Sequence, residues 1–109
     1  MLINPSFVMH YVICYDLEND RLRGHVAKLL QKKGCSRVQR SVFVAPHYDR
    51  RTFSALLTAL RGLLARHPGA PTDSIVCVPL RDGDEAGITV LGHNNVHADL
   101  GPPPLKIIL

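Results

Sequence analysis

At 109 residues the chain has room for one domain with a sizeable core and not for two. Apolar residues make up 46% of it and charged residues 20%, which excludes a wholly disordered protein. The net charge of +4, thirteen Lys and Arg against nine Asp and Glu, favours a polyanionic partner.

Cys14, Cys35 and Cys77 are odd in number and widely spaced, which suits buried thiols in a reducing compartment rather than a disulfide framework or a zinc site. No apolar stretch approaches the roughly 18–20 residues of a membrane span, and no membrane association is expected. The opening MLINPSFVM carries neither a basic leader nor a small-residue cleavage site, so a cytoplasmic protein is expected.

Residues Met1–Phe7 contain Asn4, Pro5 and Ser6 and read as a loose lead-in. Val8–Asp16, VMHYVICYD, is a run of strand formers that ends in a carboxylate. Asp16 emerges at its end either as an ordinary turn residue or as a rigidly placed carboxylate suited to holding a metal or substrate. His10, inside the run, is expected to be packed or at an interface.

In LEND, Asn19 or Asp20 can cap a helix. Leu22, Val26, Leu29 and Leu30 then form one apolar face through Lys33, with Lys28, Lys32 and Lys33 near the C-terminal end and Gly34 placed to terminate it. Arg37–Pro46, RVQRSVFVAP, returns to strand character as one kinked strand or a very tight hairpin. A second helix is expected from about Asp49, its cap, to Arg66, with Phe53, Leu56, Leu57, Leu60, Leu63 and Leu64 as its stripe. His67, Pro68 and Gly69 stop it.

Ser74–Leu80 is another apolar strand, Arg81–Gly87 a turn, and Ile88–Leu91 a candidate short strand. From 92 to 104 Gly, His, Asn and Pro dominate, and an irregular loop is expected. The ending over 105–109, LKIIL, is apolar and expected to add as a strand to a sheet edge, its own or that of a second copy. The whole of 1–109 thus reads as a single α+β domain. Strand, helix, strand or hairpin, helix, strand is the ferredoxin-like split βαβ order, an antiparallel sheet with two helices on one face. The other face needs a cover, and a symmetric homodimer supplies one.

The chain carries no nucleophile elbow, Gly-rich phosphate loop, paired-Cys spacing or His-Glu metal helix. His93 and His97, four apart in a Gly/Asn-rich loop, are weak metal candidates. Asp82, Asp84 and Glu85 read as a solvated turn. Asp16, Glu18 and Asp20 cluster at the first strand–helix junction. A hard cation such as Mg²⁺ takes one or two carboxylates and completes its shell with water and phosphate. One chain offers Asp16 for this, and two copies about a two-fold axis offer two. Arg21, Arg23, Arg37 and Arg40 surround the same junction, where they read either as a solvated face or as a phosphate-binding rim, since guanidinium groups bind phosphate by paired hydrogen bonds.

The YD closing the first strand, the helix segment HVAKLLQKKG and the following RVQRSVF together resemble the small CRISPR-associated endonuclease family, which partners the CRISPR integrase in spacer acquisition. The resemblance is strongest over Val8–Phe43 and weaker through the second helix to DSIVCVPL. It implies a ferredoxin-like symmetric homodimer whose C-terminal strand pairs with the partner's sheet. It also implies metal-dependent cleavage of phosphodiester bonds in RNA or DNA, in antiviral defence. Asp16 stands at the position of the family's metal ligand, for Mg²⁺ or Mn²⁺, and Tyr15 at its preceding aromatic. Arg21 or Arg23 matches the basic helix start, and Arg37, Gln39, Ser41 and Phe43 the second motif. On this basis Asp16, Tyr15 and Ser41 are the expected catalytic set, with Tyr15 and Ser41 orienting water or phosphate. Arg21, Arg23, Arg37 and Arg40 are the expected nucleic-acid contacts. Two other readings stay open: a non-catalytic dimeric adaptor that holds duplex DNA between integrase subunits, and a toxin-like ribonuclease of a related ferredoxin-like family. The segment Arg81–Pro104 departs from the family's usual, shorter end.

Overall fold

The computed structural model describes residues 8–101; the expected terminal strand over 105–109 lies outside them. Strand β1 (Val8–Asp16) is followed by helix α1 (Asp20–Lys32), strands β2 (Ser36–Gln39) and β3 (Val42–Asp49), helix α2 (Arg50–Arg66) and strand β4 (Ser74–Arg81). A 3₁₀ turn over Asp84–Gly87 and a one-turn helix α3 (Val96–Asp99) complete the described chain. The strands lie in the order β2-β3-β1-β4, with every neighbouring pair antiparallel. This is the expected ferredoxin-like arrangement.

Local chemistry sets the helix ends. Asn19 Oδ1 accepts the Leu22 N–H at 2.9 Å, which makes Asn19 the cap of α1, and Gly34 leaves the helix at a φ of 88° that a side chain would resist. Asp49 accepts the Thr52 N–H at 2.7 Å and starts α2 without a loop between it and β3. Leu22, Val26, Ala27 and Leu30 of α1 and Leu56, Leu60 and Leu63 of α2 are buried against one face of the sheet, where Ile13, Tyr15, Phe43, Ala45 and Tyr48 meet them. Leu64, expected in the α2 stripe, falls outside this cluster and is exposed.

The segment RVQRSVF resolves into the tight hairpin, with only Arg40 and Ser41 between Gln39 and Val42. Its turn reaches the end of β1, where the Tyr15 N–H donates to the Ser41 carbonyl at 3.0 Å.

Alternation along β1 sends Tyr11, Ile13 and Tyr15 to the helices and His10, Val12, Cys14 and Asp16 to the opposite face. The chain itself covers part of that face. Val96 and Leu100 are buried against Val44, with Ile88 and Val90 packed beside Val12, Val38 and Leu80. Ile88–Leu91 is therefore a covering segment and not the expected strand, because burial of Ile88 and Val90 is achieved by packing alone, without a ladder. Likewise the described part of the expected 92–104 loop, up to Gly101, is not irregular throughout: the turn of α3 interrupts it. Among the described residues the face is open over the middle of the outer strand β4, with Val76 52% and Val78 43% exposed. Among the described residues no helix is long and apolar enough to cross a membrane.

Candidate functional site

Asp16 is exposed at the end of β1 and lines a cleft of about 550 Å³ together with Tyr15, Leu17, Arg23, Gly24, Arg37, Arg40 and Ser41. Three elements build it. β1 ends there, α1 passes with its first two turns, and the β2–β3 turn closes the side. The cleft contains one carboxylate and three guanidinium groups among its described lining residues, so its field favours an anion with room for one bridging cation.

Each arginine has its own task. Arg23 donates from Nη1 to the carbonyls of Leu17 at 2.7 Å and Glu18 at 3.0 Å, and its Nη2 pairs with Asp20. It thus closes the loop that follows Asp16. Arg37 lies 5.0 Å over the Phe43 ring and reaches the Tyr15 hydroxyl at 3.4 Å, leaving an exposed cation at the rim. Arg40 is exposed at the tip of the hairpin turn. Arg21 is exposed on α1 and does not line the cleft.

Tyr15 is only 6% exposed, and its hydroxyl donates to the Arg40 carbonyl at 3.4 Å. The ring packs beside Phe43, centroids 6.2 Å apart, so the phenol supports the hairpin from below. Ser41 is partly buried in the cleft wall. Glu18 is exposed and Asp20 is engaged with Arg23, so of the acidic cluster only Asp16 lines the cleft.

Sequence reasoning passed over Asp73. Its Oδ1 accepts the Glu18 N–H at 3.0 Å and its Oδ2 accepts the Ala70 N–H at 3.1 Å. Asp73 precedes Ser74, which is paired opposite Asp16, so the carboxylate holds the loop leaving Asp16 from across the sheet edge. The signal was an Asp closing a Gly/Pro-rich loop, a habitual turn anchor whose distant partner no local pattern reveals.

An exposed carboxylate at a strand end, rimmed by arginines on a ferredoxin-like sheet, defines a small α+β protein whose cleft has the charge to suit phosphate groups. The comparisons with known proteins give that class a family. Residues 9–86 match the family described as CRISPR associated protein Cas2, and the chain belongs to it. A protein of Synechocystis sp. named CRISPR-associated endoribonuclease Cas2 2 is 30% identical over 99 residues, 91% of this chain and 97% of its own. A protein of the same name from Pyrobaculum aerophilum is 33% identical over 100 residues, 88% of this chain and 90% of its own. The crystal structure of a hypothetical protein from Thermus thermophilus superposes with a TM-score of 0.64 at 32% identity, covering 80% of this chain and 94% of that one. A crystal structure described as cas2 shares the fold, with a TM-score of 0.63 at 19% identity over 94% of this chain and 99% of that one. Family membership selects the CRISPR-associated reading over the toxin-like one.

Proposed function

We propose that the protein acts in CRISPR spacer acquisition as a homodimeric, metal-dependent endonuclease that hydrolyses phosphodiester bonds, with Asp16 at its centre. The observation that carries this reading is the position of Asp16: exposed, at the end of a rigid strand, and the one carboxylate among the cleft's described lining residues, beside Arg23, Arg37 and Arg40. The names of the relatives, endoribonucleases, support the same chemistry.

The donor set fits a hard divalent cation. Mg²⁺ or Mn²⁺ is held by one or two carboxylates with water and phosphate completing the shell, and Asp16 of one chain or of two supplies that number. Such an ion, when bound, lowers the pKa of water and offsets charge on phosphate. The chain's own residues do the rest. Arg37 and Arg40 hold the nucleic-acid backbone at the rim. Ser41 presents a hydroxyl to the phosphate or water. Tyr15 keeps the hairpin at its height, and Arg23 fixes the loop behind Asp16.

By strand alternation Asp16 shares a face with Cys14 and Val12, whose register partners on β4 are the exposed Val76 and Val78. Pairing two copies through this face buries the valines and brings the two Asp16 side chains towards each other, completing a site that one chain holds only in half. The CRISPR integrase is the partner expected of the assembled dimer.

The preponderance of arginine over carboxylate in the cleft favours one alternative, a dimer that holds duplex DNA for the integrase without cutting it. One assay separates the two. Purified protein and Asp16→Asn are incubated with labelled single-stranded RNA and duplex DNA in Mg²⁺, Mn²⁺ or EDTA. Cleavage that needs the metal and disappears in Asp16→Asn supports the nuclease and identifies its substrate. No cleavage by either protein, with salt-sensitive duplex binding by both, makes it the adaptor.

A further inference from the structure

The other end of β1 gathers a second set of titratable groups that the proposed cleavage does not use. His10 stands six residues before Asp16 on the strand, about 20 Å away at the usual strand rise. It is fully buried, and its ring meets His47 edge-on with centroids 4.5 Å apart.

The hydrogen bonds around the two rings fix their protons. The His47 N–H donates to His10 Nδ1 at 3.1 Å, so the proton of neutral His10 sits on Nε2. His47 Nε2 lies 2.7 Å from the Gly101 carbonyl, which only accepts, so His47 Nδ1 keeps a free lone pair. Among the described residues, His10 Nε2 is a buried side-chain nitrogen with no hydrogen-bond partner. It faces Asp82 Oδ1 at 3.5 Å and Glu85 Oε1 at 3.6 Å. These separations exceed the 2.7–2.9 Å of a charge-assisted hydrogen bond. They lie close to the edge of a tetrahedron with ligands about 2.0–2.1 Å from a central ion, an edge of about 3.4 Å. One ligand atom each from His10, His47 and Asp82 falls within 4.8 Å of the others.

The backbone is shaped for this meeting. The β1–β3 register slips between Met9 and Tyr11, so that Pro46 and His47 bulge opposite His10. His47 takes a φ of 56°, a conformation that a non-glycine residue adopts only where its surroundings hold it there.

We propose that His10, His47 and Asp82, with Glu85 beside them, form a binding site for a divalent transition metal of the zinc class. Imidazole nitrogens select such ions over Mg²⁺, so the site is distinct from Asp16 in chemistry as well as in place. Coordination by His10 uses the Nε2 lone pair. The ring proton moves to Nδ1, the ring stays neutral, and the His47 amide turns away from it. The ion then ties β1, β3 and the turn after β4 together where the chain leaves through Gly101, and it stabilises the fold by binding only the folded state.

The test uses the full chain with Co²⁺ as a spectroscopic probe and Zn²⁺ as its competitor, followed by visible absorption, calorimetry and thermal melting. One Co²⁺ per chain with a tetrahedral spectrum is expected, displaced by Zn²⁺ but not by excess Mg²⁺, with a raised melting temperature. Nitrogen NMR of the His10 ring is expected to show the proton move from Nε2 to Nδ1 on Zn²⁺ loading. Affinity should fall at least tenfold in His47→Gln and in Asp82→Ala, the latter at an exposed side chain where folding is not at stake, and should be unchanged in Asp16→Asn. Absence of Co²⁺ binding, equal binding by Asp82→Ala and His47→Gln, or loss of binding in Asp16→Asn would each overturn the assignment.

Discussion

The carboxylate of Asp73 accepts the backbone N–H of Glu18 at 3.0 Å, and through that bond the loop entering β4 holds the loop leaving Asp16. The second oxygen of Asp73 accepts from Ala70, so the anchor is itself braced. A side chain far along the sequence thereby sets where the strand-end carboxylate sits.

Replacing Asp73 with Ala removes both bonds, at an expected stability cost of about 1 kcal/mol for groups this near the surface. Cleavage should fall further than stability does, by about tenfold or more, because misplacing a reacting group is costly even when the fold survives. Asp73→Asn keeps an acceptor oxygen and should retain more activity. Gly69→Ala should mimic Asp73→Ala, since a Cβ at residue 69 collides with Asp73 Oδ2. Denaturation midpoints measured beside cleavage rates check all three.

The arginines should separate by role. Arg40→Glu, at the rim, is expected to weaken nucleic-acid binding and to reduce the salt dependence by about one phosphate contact, with a melting temperature close to wild type. Arg21→Glu should weaken binding less, because Arg21 stands outside the cleft. Arg23→Ala should instead destabilise the fold by about 1–2 kcal/mol, through the loss of its contacts to Leu17, Glu18 and Asp20. Binding titrations at several salt concentrations, with parallel melts, distinguish the three.

The proposed association through the open face rests on Val76 and Val78, which are exposed on β4. The double substitution Val76→Lys, Val78→Lys places two charges on that exposed apolar patch, and the proposed dimer should become monomeric without losing its helical signal. Light scattering reads the first outcome and circular dichroism the second. Cleavage should disappear with the dimer if each cleft holds half of the metal site.

Alkaline pH should loosen the core on the β3 side. The Tyr48 hydroxyl donates to the Lys33 carbonyl and lies 3.3 Å from Cys35 Sγ. Burial, followed by the contact with Cys35, pushes the phenol well above its ordinary range, and burial also raises the Cys35 and Cys77 thiols. Groups with raised folded-state values contribute stability that is complete below their unfolded values and is lost as pH climbs above them. The melting temperature should therefore fall from about pH 9 and more steeply above about pH 10. Tyr48→Phe should flatten the upper part of that fall while lowering stability at neutral pH.

Much of this fold was legible residue by residue. The β1 run and its closing Asp16, the Leu22–Val26–Leu30 stripe, the Asp49 cap and the stop at Gly34 are all local statements, and periodicity and capping chemistry act locally. The hairpin at Arg40–Ser41 was one of two readings. Its outcome needed the edge of β1, because the Ser41 carbonyl is satisfied by the Tyr15 amide. Ile88–Leu91 misled because an apolar run wants burial, and packing on the sheet face met that need as well as strand pairing would have done.

At the site the division is the same. Sequence alone determined that a carboxylate ends the first strand amid arginines, since residue type and strand alternation are written in the chain. Only the tertiary structure decided that Arg23 bonds the loop carbonyls while Arg37 and Arg40 stay exposed at the cleft, because that depends on which carbonyls the folded loops present. Only it brought Asp73 to Glu18, and His10 to His47 and Asp82. Those contacts join residues from different strands and turns, and their distances are set by sheet order and by the bulge at His47, neither of which any short stretch of sequence contains.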